Sequence, residues 1–145
     1  MTGHKWGNLK WPSGLGTRAA PDKWTIIAGD LNSCSPHDPE PDDWHSLQSH
    51  HRIRYLADDF KGIDRSALTH LEAAGWVDIG HMLGSGNHQT VPTSGFRGGE
   101  FPNMRCDYLL ASKGLAAQAR TYEVLRNQAT DGCSDHYPLM GTFAV

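Results

Sequence analysis

The sequence is short of cysteine, of long apolar runs and of net charge. Three cysteines, Cys34, Cys106 and Cys133, are widely spaced and form no CxxC pair, which excludes a disulfide framework and the usual spacings of a structural zinc site. No apolar run approaches the roughly 20 residues of a membrane-spanning helix. The N-terminus also lacks the apolar stretch of a signal peptide, so we expect no membrane span and, by default, a cytoplasmic location.

The charge balance excludes one class of binding. Thirteen Lys and Arg against sixteen Asp and Glu give a net charge of -3, so bulk attraction to nucleic acid or to an anionic membrane is not supported, although a local basic patch stays open. Five Trp, four Tyr and four Phe supply enough large apolar side chains for a core. With 145 residues, the chain is predicted to form a single domain.

Hydrophobic patterning predicts a mixed α and β chain. Residues 1–22 are rich in Gly and Pro and read as a flexible N-terminal segment, which leaves 23–145 as the domain. Apolar runs predict strands, helical spacing predicts helices, and a Gly- and Ser-rich stretch predicts a long loop. The strands are 23–28, 76–79, 104–112, 121–126 and 137–145; the helices are 43–56, 64–74 and 114–119; the loop is 80–103. We expect 24–28, 105–111 and 139–143 to be neighbouring buried strands.

Polar side chains stand at the end of the first predicted strand. Asp30 and Asn32, in the string IIAGDLNS, project from the same side of an extended chain. A carboxylate beside a carboxamide can orient a water molecule and bind an anionic oxygen. A plain turn at the exit of the strand is the alternative, because Asp and Asn favour such places.

Asp107 lies inside the apolar string RCDYLLAS, where an unpaired carboxylate is costly. Arg105, two residues away, is one candidate partner and would make a structural ion pair. A histidine is the other candidate, and the carboxylate would then fix the tautomer and orientation of the ring. The string SDHYPLMGTF supplies such a histidine, because Asp135 and His136 stand directly before the last strand. An acid and a histidine there can divide metal binding and proton transfer between them.

The three strings IIAGDLNS, RCDYLLAS and SDHYPLMGTF, in this order and each attached to an apolar strand, resemble the C-terminal half of the endonuclease/exonuclease/phosphatase family. This DNase I-like family includes nucleases, phosphatases and phosphodiesterases. WVDIG and TVPTSG also look like the central stretch of the family. The resemblance implies an α+β fold: half of a DNase I-like two-sheet β-sandwich with flanking helices. It also implies a Mg²⁺-dependent hydrolase of phosphoric esters, with Mn²⁺ as the alternative ion.

The resemblance also implies a role for each site residue. Asp30 would orient or deprotonate the attacking water, and Asn32 would hydrogen-bond a phosphate oxygen. Asp135 would belong to the metal side of the site. His136 would contact the scissile phosphate as an acid or base, with Asp107 bonded to its other ring nitrogen. The substrate is a phosphoester, with nucleic acid as one class.

The family's N-terminal half, which carries further catalytic residues, has no counterpart in the sequence. We therefore expect exposed apolar surface, and either a missing half or a partner chain that supplies it. The alternative function is a catalytically inactive fragment that binds a protein or a nucleic acid. A third reading is a metal-binding module, made from the histidines that lie close together in sequence. They are His37, His45, His50 and His51.

Overall fold

The computed structural model describes residues 24–57, 61–97 and 100–144, so the predicted flexible segment 1–22 lies outside the described residues. In this part of the chain the strands are β1 (Ile26–Asp30), β2 (Val77–Asp78), β3 (Asp107–Ala111), β4 (Ala119–Val124) and β5 (Leu139–Phe143). The α-helices are α1 (Ser49–Arg52), α2 (Ser66–Ala73), α3 (Ile79–Leu83), α4 (Lys113–Ala116) and α5 (Gln128–Cys133). None of these helices has the length and apolar character needed to cross a membrane.

The strands form two antiparallel sheets. One sheet has the order β1-β3-β2, and the other pairs β4 with β5. The expected α+β class with two sheets is confirmed. The expectation that 139–143 lies beside the other two strands is wrong, because β5 pairs with β4 instead. An apolar strand pattern predicts burial but does not say which sheet the strand joins.

The two sheets contact each other at Gly141. A Cβ atom at Gly141 would clash with the side chain of Leu109, so β5 lies against β3 although the two strands belong to different sheets. The outer face of the first sheet is covered by α2, which buries Leu68 and Leu71 against Tyr108 and Leu110. These contacts fix β3 as the central strand on which the site is built.

Strand β1 is far more exposed than the sequence predicts. It lies at an edge of its sheet, and Trp24 and Ile26 keep 58% and 44% of their surface exposed. The expectation that 24–28 is a buried strand is therefore wrong, whereas the expected exposure of apolar surface is confirmed. A short apolar run has the same pattern whether or not its second face is covered.

Two helix predictions need correction. The expected helix 43–56 is broken into a 3-10 turn, Trp44–Ser46, and α1, because Leu47 and Gln48 are extended. This break lets Leu47 join Trp44 and Tyr55 in the core. Helix α5 lies between the predicted strands 121–126 and 137–145, where no helix was predicted. Asn127 caps this helix by accepting hydrogen bonds from the backbone N–H groups of Ala129 and Thr130, at 2.9 and 3.1 Å.

The cysteines form no disulfide in the described part of the chain. Cys34 and Cys106 are buried, and burial raises the pKa of both thiols. Protonated buried thiols of this kind are inert packing groups. Cys133 differs, because it is exposed at the end of α5.

Candidate active site

The antiparallel register of β1 and β3 sets Asp30 directly opposite Asp107. Each residue stands at the end of its strand where the pairing stops, so two carboxylates share one corner of the sheet. Like charges directly opposite one another destabilise a sheet unless another group compensates. The two facing carboxylates are therefore stabilised by a bound proton or a nearby positive charge at this corner of the sheet.

His136 is the group that meets Asp107. Its Nδ1 lies 2.8 Å from Oδ2 of Asp107. Because a carboxylate only accepts hydrogen bonds, Nδ1 carries the proton and Nε2 is left for another partner. The ring of Phe101 packs edge-on against the imidazole, with centroids 5.5 Å apart. The ligand atoms of Asp30, Asp107 and His136 all lie within 4.8 Å of one another.

Arg105 does not pair with Asp107. Its guanidinium binds Asp38 through Nε and Nη2, and binds Asp78 through Nη1 and Nη2, at 2.7 to 3.1 Å. The two alternatives for Asp107 are thereby decided in favour of the histidine. Residue 105 precedes β3, so the alternation of a regular strand, which would place it beside Asp107, does not apply to it.

Asn32 holds the carboxylate of Asp30. Its backbone N–H donates to Oδ1 and its side-chain amide donates to Oδ2, both at 2.8 Å. Asn32 has a φ of 44°, a left-handed conformation that asparagine tolerates better than most residues. Gly29, inside β1, has a φ of 140°, which a residue without a Cβ adopts at no steric cost. The second N–H of the Asn32 amide takes no part in these two bonds.

Asp135 lies beside the three-residue group rather than in it. Its Oδ1 accepts a hydrogen bond from the hydroxyl of Ser134 at 3.3 Å, and its backbone carbonyl accepts one from the N–H of Thr93 at 3.1 Å. The residue lines an open cleft of about 350 Å³ together with Phe96 and Arg97. The metal role that the sequence assigns to Asp135 stays a prediction.

The surroundings of Asp30 make its carboxyl more basic. Partial burial raises the pKa of Asp30, and the facing charge of Asp107 raises it further. Hydrogen bonds from Asn32 and the charge of His136 lower the pKa but do not cancel the rise. A carboxylate with a raised pKa is a better proton acceptor, which suits a group that takes a proton from water.

Asp30→Asn should therefore raise the melting temperature of the chain slightly at neutral pH. Because the pKa of Asp30 is raised in the folded state, its favourable contribution to stability is present in acid and is lost as the pH rises through the folded pKa. Thermal melts at several pH values test this: the difference from wild type should appear only above the pH range in which an unfolded Asp titrates, near about 3.9. Asp42→Asn, at an exposed loop position, is the control, and an Asp30→Asn variant less stable than wild type at neutral pH would contradict the assignment.

The clustered histidines do not form a metal centre. Among residues 24–57, 61–97 and 100–144, the group above is the one set of at least three His, Cys, Asp or Glu side chains that converge. His37 instead binds Glu72 at 2.9 Å and stacks on His81, and His45 accepts a hydrogen bond from the indole of Trp44. The third reading of the sequence, a histidine module, thus has no support in the described residues.

Comparison with known proteins identifies the architecture. The sequence matches no protein-family profile and no curated protein. Its structure is similar to an AP endonuclease from Archaeoglobus fulgidus, with a TM-score of 0.61 and 22% identity over 85% of this chain. It is also similar to the 3' phosphatase NExo from Neisseria bound to product DNA hairpin, with a TM-score of 0.58 and 21% identity over 83% of this chain. The chain has the fold of half a DNase I-like domain.

This DNase I-like half-domain spans less than half of the chains it resembles. It covers 46% of the Archaeoglobus protein, and 44% of the 3'-5' exonuclease NExo from Neisseria meningitidis, which it matches with a TM-score of 0.56, 21% identity and 81% coverage of its own length. At these identities the comparisons establish the fold. The expectation of a half-domain drawn from the sequence motifs is confirmed.

The half-domain offers only part of a coordination shell for a hard cation. Mg²⁺ prefers about six oxygen ligands in octahedral geometry. Of the three converging side chains, His136 offers nitrogen, and one oxygen of Asp107 already holds the ring proton. Asp30 remains as the other carboxylate of the group, and Asp135 lies outside it. The donor set fits Mg²⁺ only if water, substrate or further protein oxygens complete the shell.

Proposed function

We propose that this half-domain carries the proton-transfer side of a Mg²⁺-dependent phosphoesterase, which hydrolyses phosphodiesters or phosphomonoesters. The bond of 2.8 Å between His136 and Asp107, with Asp30 directly opposite, is the observation that supports this best. A phosphoester is anionic, so its hydrolysis needs an oriented water and positive charge on the phosphoryl oxygens. An imidazole beside two carboxylates can serve both needs.

In this proposal each residue has a defined task. Asp107 keeps the proton on Nδ1 of His136, so that Nε2 is left for the substrate, where it can accept a proton or, once protonated, donate to a phosphoryl oxygen. Asp30, held by Asn32, orients the attacking water and accepts its proton. The free N–H of the Asn32 amide binds a second phosphate oxygen. A bound Mg²⁺, or Mn²⁺ in its place, would be held by Asp30 and Asp135 and would supply further positive charge to the phosphate.

Nucleic acid is the substrate class that the comparisons favour. One of the similar proteins is described as bound to a product DNA hairpin, and another is an AP endonuclease. We carry this class to the chain as a proposal only. Its own net charge of -3 implies that any contact with a nucleic acid is local to the site rather than spread over the surface.

The proposal includes a complementary half-domain that docks on β1. Ile26 and Ala28 belong to the same face of the strand as Asp30, and both are exposed. On the other side of β1 from β3, no strand pairs with it among the described residues. A half-domain seated on this apolar face and open edge would border the site at Asp30, where the metal shell is short of oxygens.

The docking surface can be tested with a matched pair of exposed strand residues. Ile26 on β1 and Met140 on β5 keep 44% and 43% of their surface exposed. Ile26→Lys should abolish association with the complementary half, or with the partner that supplies it, whereas Met140→Lys should leave association intact. Co-purification and sedimentation measure this. Equal binding by both variants would show that the half-domain docks elsewhere.

The chain by itself should bind Mg²⁺ weakly. Asp30 and Asp135 offer fewer carboxylates than the ion usually takes from a protein, and no other convergent group is present in the described residues. Isothermal calorimetry of the 145-residue chain should give no saturable heat at micromolar Mg²⁺. Tight binding at a one-to-one ratio would mean that the site is complete without further residues.

The activity is tested on the 145-residue chain and on the product extended by whatever in-frame residues its gene encodes upstream of Met1. We expect the extended protein to hydrolyse phosphoesters, and EDTA to stop the reaction. The isolated chain should be inactive, because it covers less than half of the structures it resembles. Binding of a protein or nucleic acid by an extended protein without hydrolysis would favour the alternative, an inactive binding module.

A further inference from the structure

Thr90 is fully buried and its hydroxyl serves the start of β3. The Oγ1 atom accepts hydrogen bonds from two consecutive backbone N–H groups, those of Cys106 at 3.0 Å and of Asp107 at 3.2 Å. Because the Thr90 hydroxyl accepts a hydrogen bond from the backbone of Asp107, it helps to fix the position from which the Asp107 side chain extends. No feature of the sequence string TVPTSG indicates this use of the hydroxyl.

The Thr90 hydroxyl supplies a hydrogen-bond acceptor where a neighbouring strand would otherwise supply one. In the sheet order β1-β3-β2, strand β2 ends at Asp78, opposite Leu110, because the chain then turns into α3. Among the residues that the structure describes, no strand therefore pairs with the N-terminal end of β3 on that side. Without Thr90, the N–H groups of Cys106 and Asp107 would lose the one acceptor that the structure gives them, and buried N–H groups are costly to leave unpaired.

The backbone of Thr90 serves the other partner in the site. Its carbonyl accepts a hydrogen bond from the N–H of Tyr137 at 2.8 Å, and its own N–H donates to the carbonyl of Met104 at 2.9 Å. Tyr137 follows His136 directly. One buried residue thus connects the strand that carries Asp107 to the turn that carries His136.

We propose that Thr90 is a positioning residue that holds Asp107 and His136 at hydrogen-bonding distance. The inference rests on the proposed function for its catalytic consequence, but the geometry it concerns exists without substrate or metal. Thr90 sets the distance between the two side chains through its hydroxyl on one side and its carbonyl on the other. Loss of the hydroxyl should release Asp107 and leave His136 free to change tautomer.

The test reads the tautomer of His136 by ¹⁵N NMR of the 145-residue chain, at a pH where the ring is neutral. Wild type should show the proton on Nδ1. Thr90→Val keeps the shape of the side chain but removes the acceptor, and the dominance of that tautomer should be lost. Thr90→Ser restores the acceptor and should restore the tautomer, which a role in packing alone would not require.

Ser112→Ala is the matched control. Ser112 is a buried residue at the far end of β3, and its Oγ accepts a hydrogen bond from the N–H of Thr25 at 3.2 Å. Its loss removes a similar hydrogen bond from the same strand and should leave the tautomer of His136 unchanged. If Thr90→Val does not fold, Thr90→Cys replaces it, because sulfur is a weak acceptor. The tautomer should then shift in the same direction.

The outcomes separate this inference from the proposed function. An unchanged tautomer in folded Thr90→Val or Thr90→Cys would overturn the positioning role while leaving the pair of Asp107 and His136 intact. A wild-type ring without a fixed Nδ1 proton would overturn the geometry on which the proposed function itself stands. In an active extended protein, Thr90→Val should lower kcat at least tenfold with KM little changed.

Discussion

Replacing His136 with alanine in an active, extended form of the protein should lower kcat/KM by about a thousandfold, or about 4 kcal/mol of transition-state stabilisation. The imidazole is bonded to Asp107 through Nδ1, which leaves Nε2 for the substrate in the proposed function. The variant would lose a proton-transfer group and a contact to the phosphate at once. Steady-state hydrolysis of a generic aryl phosphodiester with Mg²⁺ measures the loss.

A second histidine variant separates catalysis from general damage. His70 is exposed on α2, away from the site, so His70→Ala should keep kcat/KM within a few-fold of wild type. Melting curves of both variants check that each is folded. Near-normal turnover of folded His136→Ala would reject the assignment of this residue to the chemistry.

The convergence of the site was predictable from the sequence because its residues stand at the ends of strands. Asp30 ends β1 and Asp107 begins β3, and antiparallel pairing brings such ends together. His136 precedes β5, a strand of the second sheet, and its Nδ1 meets the carboxylate of Asp107. The three motifs, each at the end of a strand, therefore supply most of the residues of the site. The roles of these residues stay predictions.

The contacts that support the site were not predictable, because they join residues that are far apart in the sequence and no local pattern identifies such pairs. The hydroxyl of Thr90 replaces a strand that ends early, and the early end of β2 is a property of the packed sheet. The break before α1 has the same origin. Leu47 and Gln48 leave the helical conformation so that Leu47 can pack against Trp44. Tertiary packing overrides helical periodicity there.

Helix α5 is a different case, because its signal was present in the sequence. Asn127 and Thr130 form a reciprocal capping box, in which the Thr130 hydroxyl accepts from the N–H of Asn127 at 2.9 Å. An Asn followed three residues later by Thr can begin a helix in this way. No helix was predicted between the strands 121–126 and 137–145.

The ion-pair partners of Arg105 could not be identified from the residues near it in the sequence. Its partners Asp38 and Asp78 are 67 and 27 residues away in sequence, and the guanidinium also lies 4.6 Å from the ring of Tyr108. Burial lowers the pKa of Arg105, but the two carboxylates more than offset this, so the pKa is raised and the charge is kept. The side chains of Arg105 and Asp78 are each only 1% exposed. This triad ties the loop after β1 to the core beside β3.

Arg105→Met should consequently destabilise the chain by about 3–5 kcal/mol, because it leaves two buried or partly buried carboxylates without their counter-charge. That is a large part of the about 5–15 kcal/mol by which a domain is usually stable, so much of the variant should be unfolded at moderate temperature. Chemical denaturation measures the free energy of unfolding. Arg120→Met, at an exposed position on β4, should change it by no more than about 0.5 kcal/mol.

The loss should come from buried charge rather than from packing, and two further measurements distinguish these causes. Adding Asp38→Asn and Asp78→Asn to Arg105→Met removes the unpaired charges and should recover a substantial part of the lost stability. Acidification should also narrow the gap between Arg105→Met and wild type, because a protonated carboxyl group costs far less to bury than a carboxylate. If the deficit is the same at every pH and in the triple variant, the triad acts through shape alone. The guanidinium would then be replaceable by any side chain that fills the space under Gly80, where an added Cβ would lie 2.9 Å from the ring of Tyr122.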